Sequence, residues 1–123
     1  MSGAVPALRR GDMCWVNLDP ARGGEIKKRR PAVVVSNDGV NSAVHRYGRG
    51  VVTVVPVTSN TERVYPFQIL IDAADHPGLR TDSKAQAEQV RTVDVARIGS
   101  RITTLSPSTM RSLDAALRLH LAL

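Results

Sequence analysis

"KKRRPAVVVSND", Lys27 to Asp38, sets four consecutive cations against a proline and then a run of valines. The valine run with its proline start reads as a strand over Pro31–Asn37. It is apolar at successive positions, so it is buried on both faces and central in its sheet. Pro31 is tolerated because it begins the strand, where no ladder donor is needed. The cations are the puzzle, because charge at the mouth of a buried strand is either a solvated loop or a grip on an anion.

Working outward, "DMCWVNLDP" (Asp12–Pro20) alternates: Met13, Trp15 and Asn17 on one side, Cys14, Val16 and Leu18 on the other. That is a strand closed by Asp19-Pro20. "ARGGEIKKRR" is a charged loop loosened by Gly23-Gly24, and Asp38–Gly50 is a second loop with room for one helical turn. Further strands are expected over Val51–Asn60 (running out near Pro56), Tyr65–Asp72, one or two within "SKAQAEQVRTVD", and Arg97–Leu105. The pattern then changes period. Ser106 is a natural N-cap, Pro107 suits the first helical position, and Met110, Leu113, Ala116, Leu117 and Leu121 recur at helical spacing. Leu119 and Leu123 fall on another face, which suggests a helix that seeks a second surface such as a dimer partner. Five or six short strands followed by a helix predict a mainly β, α+β chain: a small curled or barrel-like sheet with a C-terminal helix, in one domain over residues 1–123.

At 123 residues the chain can bury one real core. Its longest apolar runs are far short of a membrane span, no leader pattern opens it, and its single cysteine, Cys14, has no internal partner. These features point to the cytoplasm. The 17 Lys and Arg against 11 Asp and Glu leave a net charge of +6, and all but Lys27, Lys28 and Lys84 of the basic residues are arginine. Arginine presents a planar, permanently charged fork that matches phosphate, so a polyanionic partner is expected. Aromatic residues make up only 3%, which argues against a platform of stacked rings as the main binding device.

Catalytic machinery of the usual kinds is missing. His45, His76 and His120 are scattered without a second ligand at metal spacing, so no metal or cofactor is expected. There is no glycine-rich phosphate loop and no nucleophile elbow. His45 and His76 lie in expected loops, where a solvated imidazole is the ordinary case, and His120 lies on the helix. Arginine and hydroxyls remain. RNA carries its own nucleophile in the 2′-hydroxyl, so its cleavage needs alignment and stabilisation of charge on the phosphate rather than an activated water. Arg30 at a strand start and Thr58 or Ser59 at a strand end have that character.

Five blocks in series resemble the MazF/PemK (Kid) toxins of bacterial toxin–antitoxin systems: "RRGDMCWVNLDPARGGE", "RRPAVVVSND", "VVPVTSN", "TDSKAQAEQVRTVD" and "SPSTMRSLDAALRLHLAL". The resemblance runs from Arg10 to the C-terminus. It implies an SH3-like barrel, a homodimer, and a metal-independent, sequence-selective endoribonuclease that acts on single-stranded RNA and leaves 2′,3′-cyclic phosphate and 5′-hydroxyl ends. It also implies a MazE-like antitoxin partner. By the same resemblance the catalytic pair falls on Arg30 and Thr58. RNA contacts fall on Glu25, Ser59, Glu88 and Gln89; the charge of Lys27, Lys28 and Arg29, read by itself, suits flanking phosphates. Lys84-Ala85-Gln86 departs from the family pattern, as does the weight of the basic run. Two other readings stand beside it: a gyrase-directed toxin on the same fold, and a non-catalytic nucleic-acid-binding barrel.

Overall fold

The structure, a computed structural model, describes residues 5–18 and 29–123. Seven antiparallel strands and two helices follow in the order β1 (Asp12–Asn17), β2 (Arg29–Val34), α1 (Asp38–Tyr47), β3 (Val51–Thr58), β4 (Gln68–Ile71), β5 (Ser83–Gln86), β6 (Arg91–Asp94), β7 (Ile98–Thr104) and α2 (Pro107–Leu121). Single 3-10 turns, Ala87–Gln89 and Val95–Arg97, precede β6 and β7. The sheet runs β4-β5-β3-β2-β1-β7, with β6 also on β3. It is barrel-like but not closed, and it carries one strand more than the upper sequence expectation.

β3 is the pivot. One edge pairs with β2, and the other pairs first with β6 (Val51–Val54) and then with β5 (Val57–Thr58). Pro56 lies where β6 gives way to β5, a place where a missing donor costs least. The strand therefore continues through Pro56 to Thr58 instead of running out.

β2 begins at Arg29, two residues ahead of the proline, because Arg29 and Arg30 pair with Asn17 and Val16 of β1. It ends at Val34, ahead of the segment that caps α1. That helix is the main correction to the sequence reading, which allowed one turn. Asn37 accepts from the Val40 N–H at 2.9 Å, and Gly48 closes the helix in the left-handed conformation (φ 72°). Its polar, glycine-containing sequence conceals ten helical residues.

The two faces of the sheet bury different cores. Cys14, Val16, Ala32, Val34, Val52 and Val54 pack with Val44 of α1. Met13, Val33, Val55, Val57 and Ile71 pack with Leu113, Ala116 and Leu117 of α2. A helix on each side explains why the β2 and β3 valines are apolar at successive positions. Ser106 caps α2 by accepting from the Thr109 N–H at 3.2 Å. Met110 is partly buried against the second core, whereas Leu121 is 48% exposed beside Leu119 and Leu123.

Candidate active-site cleft

Where β2 begins and β3 ends, beside the 78–83 segment and β7, a cleft of about 700 Å³ opens. Arg29, Arg30, Thr58, Ser59, Arg80 and Arg101 supply its polar wall, and Trp15, Pro31 and Val57 are among its apolar residues. Among the described residues its lining holds four arginines and no carboxylate. Such a wall favours an anion held by several charge-assisted hydrogen bonds.

Two registers bring the key residues together. β2 pairs with β3 through Ala32–Pro56, Val33–Val55 and Val34–Val54. Continuing that register by two residues sets Arg30 opposite Thr58. On the far side of β3, Thr58 is the cross-strand partner of Lys84. Directly opposed residues project to the same face, so Arg30, Thr58 and Lys84 form one row across three strands. Trp15, Pro31 and Val57 belong to the alternate face, and both sets meet at the rim.

The hydroxyl of Thr58 is already oriented. Its Oγ1 accepts from the Asn60 N–H at 3.2 Å, which leaves its proton free to donate into the cleft. Arg30 is exposed, and its backbone is fixed by the ladder to Val16, itself wholly buried. Arg29 reaches over Gly99 of β7, where a side chain on Gly99 would collide with the guanidinium. Gly78, with φ at +100°, lies so close to the Ile102 carbonyl that a Cβ has no room. The 78–83 wall of the cleft therefore needs glycine there.

Of the residues singled out in the sequence, Arg29, Arg30, Thr58 and Ser59 line the cleft together. Glu25, Lys27 and Lys28 lie outside the described residues. Glu88 and Gln89 sit on the 3-10 turn ahead of β6 and are not part of the cleft lining. Glu88 Oε2 accepts from Gln68 Nε2 at 2.8 Å, its Oε1 is buried with no partner among the described residues, and Gln89 Oε1 accepts from Arg91 Nη2 at 3.2 Å.

Sequence reasoning missed Arg80 and Arg101. Arg101 faces Cys14 in a β1–β7 ladder whose register shifts twice, and strand alternation cannot place a residue past such irregularities. His76 also corrects an expectation, since it is not a solvated loop residue but 1% exposed. The Ser106 N–H donates to its Nε2 at 3.1 Å, so Nδ1 carries the proton and donates to the Asp72 carbonyl at 2.7 Å. His45 Nδ1 lies 2.7 Å from the Val5 carbonyl, and neither histidine lines the cleft. Among the described residues no three His, Cys, Asp or Glu side chains gather into a group able to hold a metal ion.

The cleft can be set beside known proteins. A family model, the PemK-like, MazF-like toxin of type II toxin-antitoxin systems, matches residues 9–121. The chain is 53% identical over 116 residues to endoribonuclease MazF9 of Mycobacterium tuberculosis, covering 94% of this chain and 98% of that protein. It is 33% identical over 117 residues to endoribonuclease EndoA of Bacillus subtilis, covering 94% and 96%. Among solved structures, a MazE–MazF complex from Deinococcus radiodurans superposes with a TM-score of 0.76 at 25% identity, covering 96% of this chain and 98% of that one.

Proposed function

The chain belongs to the PemK-like, MazF-like toxin family of type II toxin–antitoxin systems, and from that premise we propose that it is an endoribonuclease cutting single-stranded RNA at selected sequences without a metal ion. The observation that carries this reading is that Arg30 and Thr58, just beyond the last pair of the β2–β3 ladder, line one cleft walled by arginines. The names of the relatives at 53% and 33% identity support the same activity.

The chemistry follows from the groups. The 2′-oxygen of the nucleotide 5′ of the cut bonds to phosphorus, and its proton passes to solvent. The P–O5′ bond breaks, and O5′ takes up a proton. The products are a 2′,3′-cyclic phosphate and a 5′-hydroxyl. Negative charge grows on the non-bridging oxygens as the pentacoordinate state forms. The Arg30 guanidinium neutralises it, and the Thr58 hydroxyl donates to one of those oxygens. Donors fixed in advance contribute most here, because they need no reorganisation as the charge develops. Arg29, Arg80 and Arg101 hold the flanking phosphates.

The protein works as a homodimer, for which the leucines left exposed at the end of α2 offer an apolar surface. A MazE-like antitoxin is its partner, by analogy with the MazE–MazF complex it superposes on. Among the described residues no helix is long and apolar enough to cross a membrane, and the cytoplasm, where RNA is made, is its place of action.

The test uses chelator-treated protein and a mixed pool of unstructured RNA. Cuts at a short common sequence, abolished when the nucleotide 5′ of the cut is 2′-deoxy, are the expected result. An intact pool sinks the reading. Cleavage that survives the deoxy substitution sinks the proposed nucleophile.

A further inference from the structure

Beside the catalytic row stands a cluster that the proposed chemistry does not use. Aromatic residues are scarce in this chain, yet Tyr65 and Phe67 stack with ring centroids 5.4 Å apart and planes within 6°. Tyr65 is 41% exposed. Two cations attend it: the Arg63 guanidinium lies 5.7 Å from the ring centroid, with Nη1 3.2 Å from the hydroxyl, and the Lys84 ammonium lies 6.0 Å from the centroid. Lys84 is itself buried and donates to the Arg63 carbonyl. Among the described residues it has no carboxylate partner.

The place of this cluster gives it meaning. Lys84 is the cross-strand partner of Thr58, so its side chain leaves the sheet on the same face, one strand over, about 5 Å away. Tyr65 stands over that ammonium. Read along the row, Arg30 and Thr58 come first, then Lys84 with Tyr65 beside it. Lys84 and Tyr65 lie outside the cleft lining, and a nucleotide chain whose scissile phosphate sits at Arg30 and Thr58 would meet them on leaving the cleft along this row. A half-exposed ring backed by a second ring can stack an unpaired base, and cations beside it suit the backbone. A buried ammonium without a counter-charge is costly, and an arriving phosphate relieves that cost.

We propose that Tyr65, backed by Phe67 and set by Lys84 and Arg63, is the seat for the nucleobase adjoining the cut. The proposal rests on the RNA-cleaving reading. It makes Tyr65 a positioning and specificity residue that touches substrate without joining the bond-breaking step. Lys84, where the sequence departs from its family's pattern, anchors the ring at this spot.

The probe is an RNA carrying the mapped cleavage sequence, 2′-deoxy at the nucleotide 5′ of the cut so that it binds uncut, with 2-aminopurine placed in turn on each side of the cut. Wild-type protein should quench one of the two positions. Tyr65→Leu should lose that quenching and raise KM about tenfold, the cost expected for one lost stack, with kcat within about threefold. Tyr65→Phe and Tyr65→Trp should keep both. A ring that only pins its loop would leave quenching and KM unchanged in a folded Tyr65→Leu protein, and that result overturns the proposal. So does a wild type that cuts RNA yet quenches neither position, a measurement that needs no variant. A wild type that cuts no RNA overturns the endoribonuclease reading first, and this one with it.

Discussion

Arg10 Nη2 and Asp114 Oδ1 meet at 2.7 Å, joining the approach to the first strand to the last helix across 104 residues of sequence. The same arginine donates from Nε to the Val35 carbonyl at 2.9 Å, and its backbone N–H donates to Asp38 Oδ1 at 2.7 Å. That last bond is the main reason the Asp38 carboxyl is held below its ordinary range, with Asn41 adding to it. One residue thus ties three elements: its side chain joins α2 to the end of β2, and its backbone N–H holds the start of α1.

Arg10→Ala should therefore destabilise the fold by about 1–3 kcal/mol, since it removes an ion pair and leaves the Val35 carbonyl without its partner. Arg10→Lys should recover less than half, because an ammonium cannot reach both acceptors in the manner of a planar fork. Urea denaturation measures both. Equal stability of the alanine variant and the wild type would show that the pair is idle.

Arg30→Ala should lower the cleavage rate by about 10²–10³-fold or more, the usual loss when a donor to transition-state charge is removed. Arg30→Lys should restore little of it. Thr58→Val should cost less, and Thr58→Ser should recover most of that loss. The melting temperature should barely move for the Arg30 variants, because the side chain is exposed at a strand end. Single-turnover cleavage with circular dichroism checks this, and a folded Arg30→Ala protein cutting at the wild-type rate removes the assignment.

His76→Ala should behave in the opposite way. It opens a cavity and strands both the Ser106 N–H at the α2 cap and the Asp72 carbonyl, at a cost of about 2–4 kcal/mol. Cleavage per folded molecule should stay within about twofold, since the ring lies outside the cleft. A variant of full stability but lost activity would return His76 to the chemistry.

Cys14 gives a pH dependence. Burial, with Asp12 nearby, pushes its thiol from 9.0 up to about 11. The folded chain keeps a proton that the unfolded chain has already released. Its contribution is thus fully present below pH 9 and is lost as pH rises from about 9 to 11, by at most about 1.4 kcal/mol per pH unit. Cys14→Ala should flatten this part of the stability profile relative to wild type. Below pH 8, thiol reagents should label Cys14 only as fast as the structure opens. Rapid labelling of the native protein would contradict the burial.

Much of this protein was legible in one dimension. Alternation in "DMCWVN" and the valine-rich runs of β2 and β3 mark strands, because side-chain burial follows backbone period. The Ser106-Pro107 start of α2 is equally local, since a cap acts on its own first turn. The strand reading placed Arg30 at a strand start and Thr58 at a strand end before any register was known. Other features depended on contacts that no local pattern contains. α1 holds because Val44 meets the first core and Asn37 and Gly48 cap its ends, against a sequence that reads as loop. Arg80 and Arg101 reach the cleft through a turn and an irregular ladder. His76 is buried by partners 4 and 30 residues away, Asp72 and Ser106. Tyr65 comes within one side chain of the catalytic row only because β5 sets Lys84 opposite Thr58. Local sequence fixes periodicity and caps; which strands become neighbours, and so which charges share a cleft, is decided when the two cores close on opposite faces of the sheet.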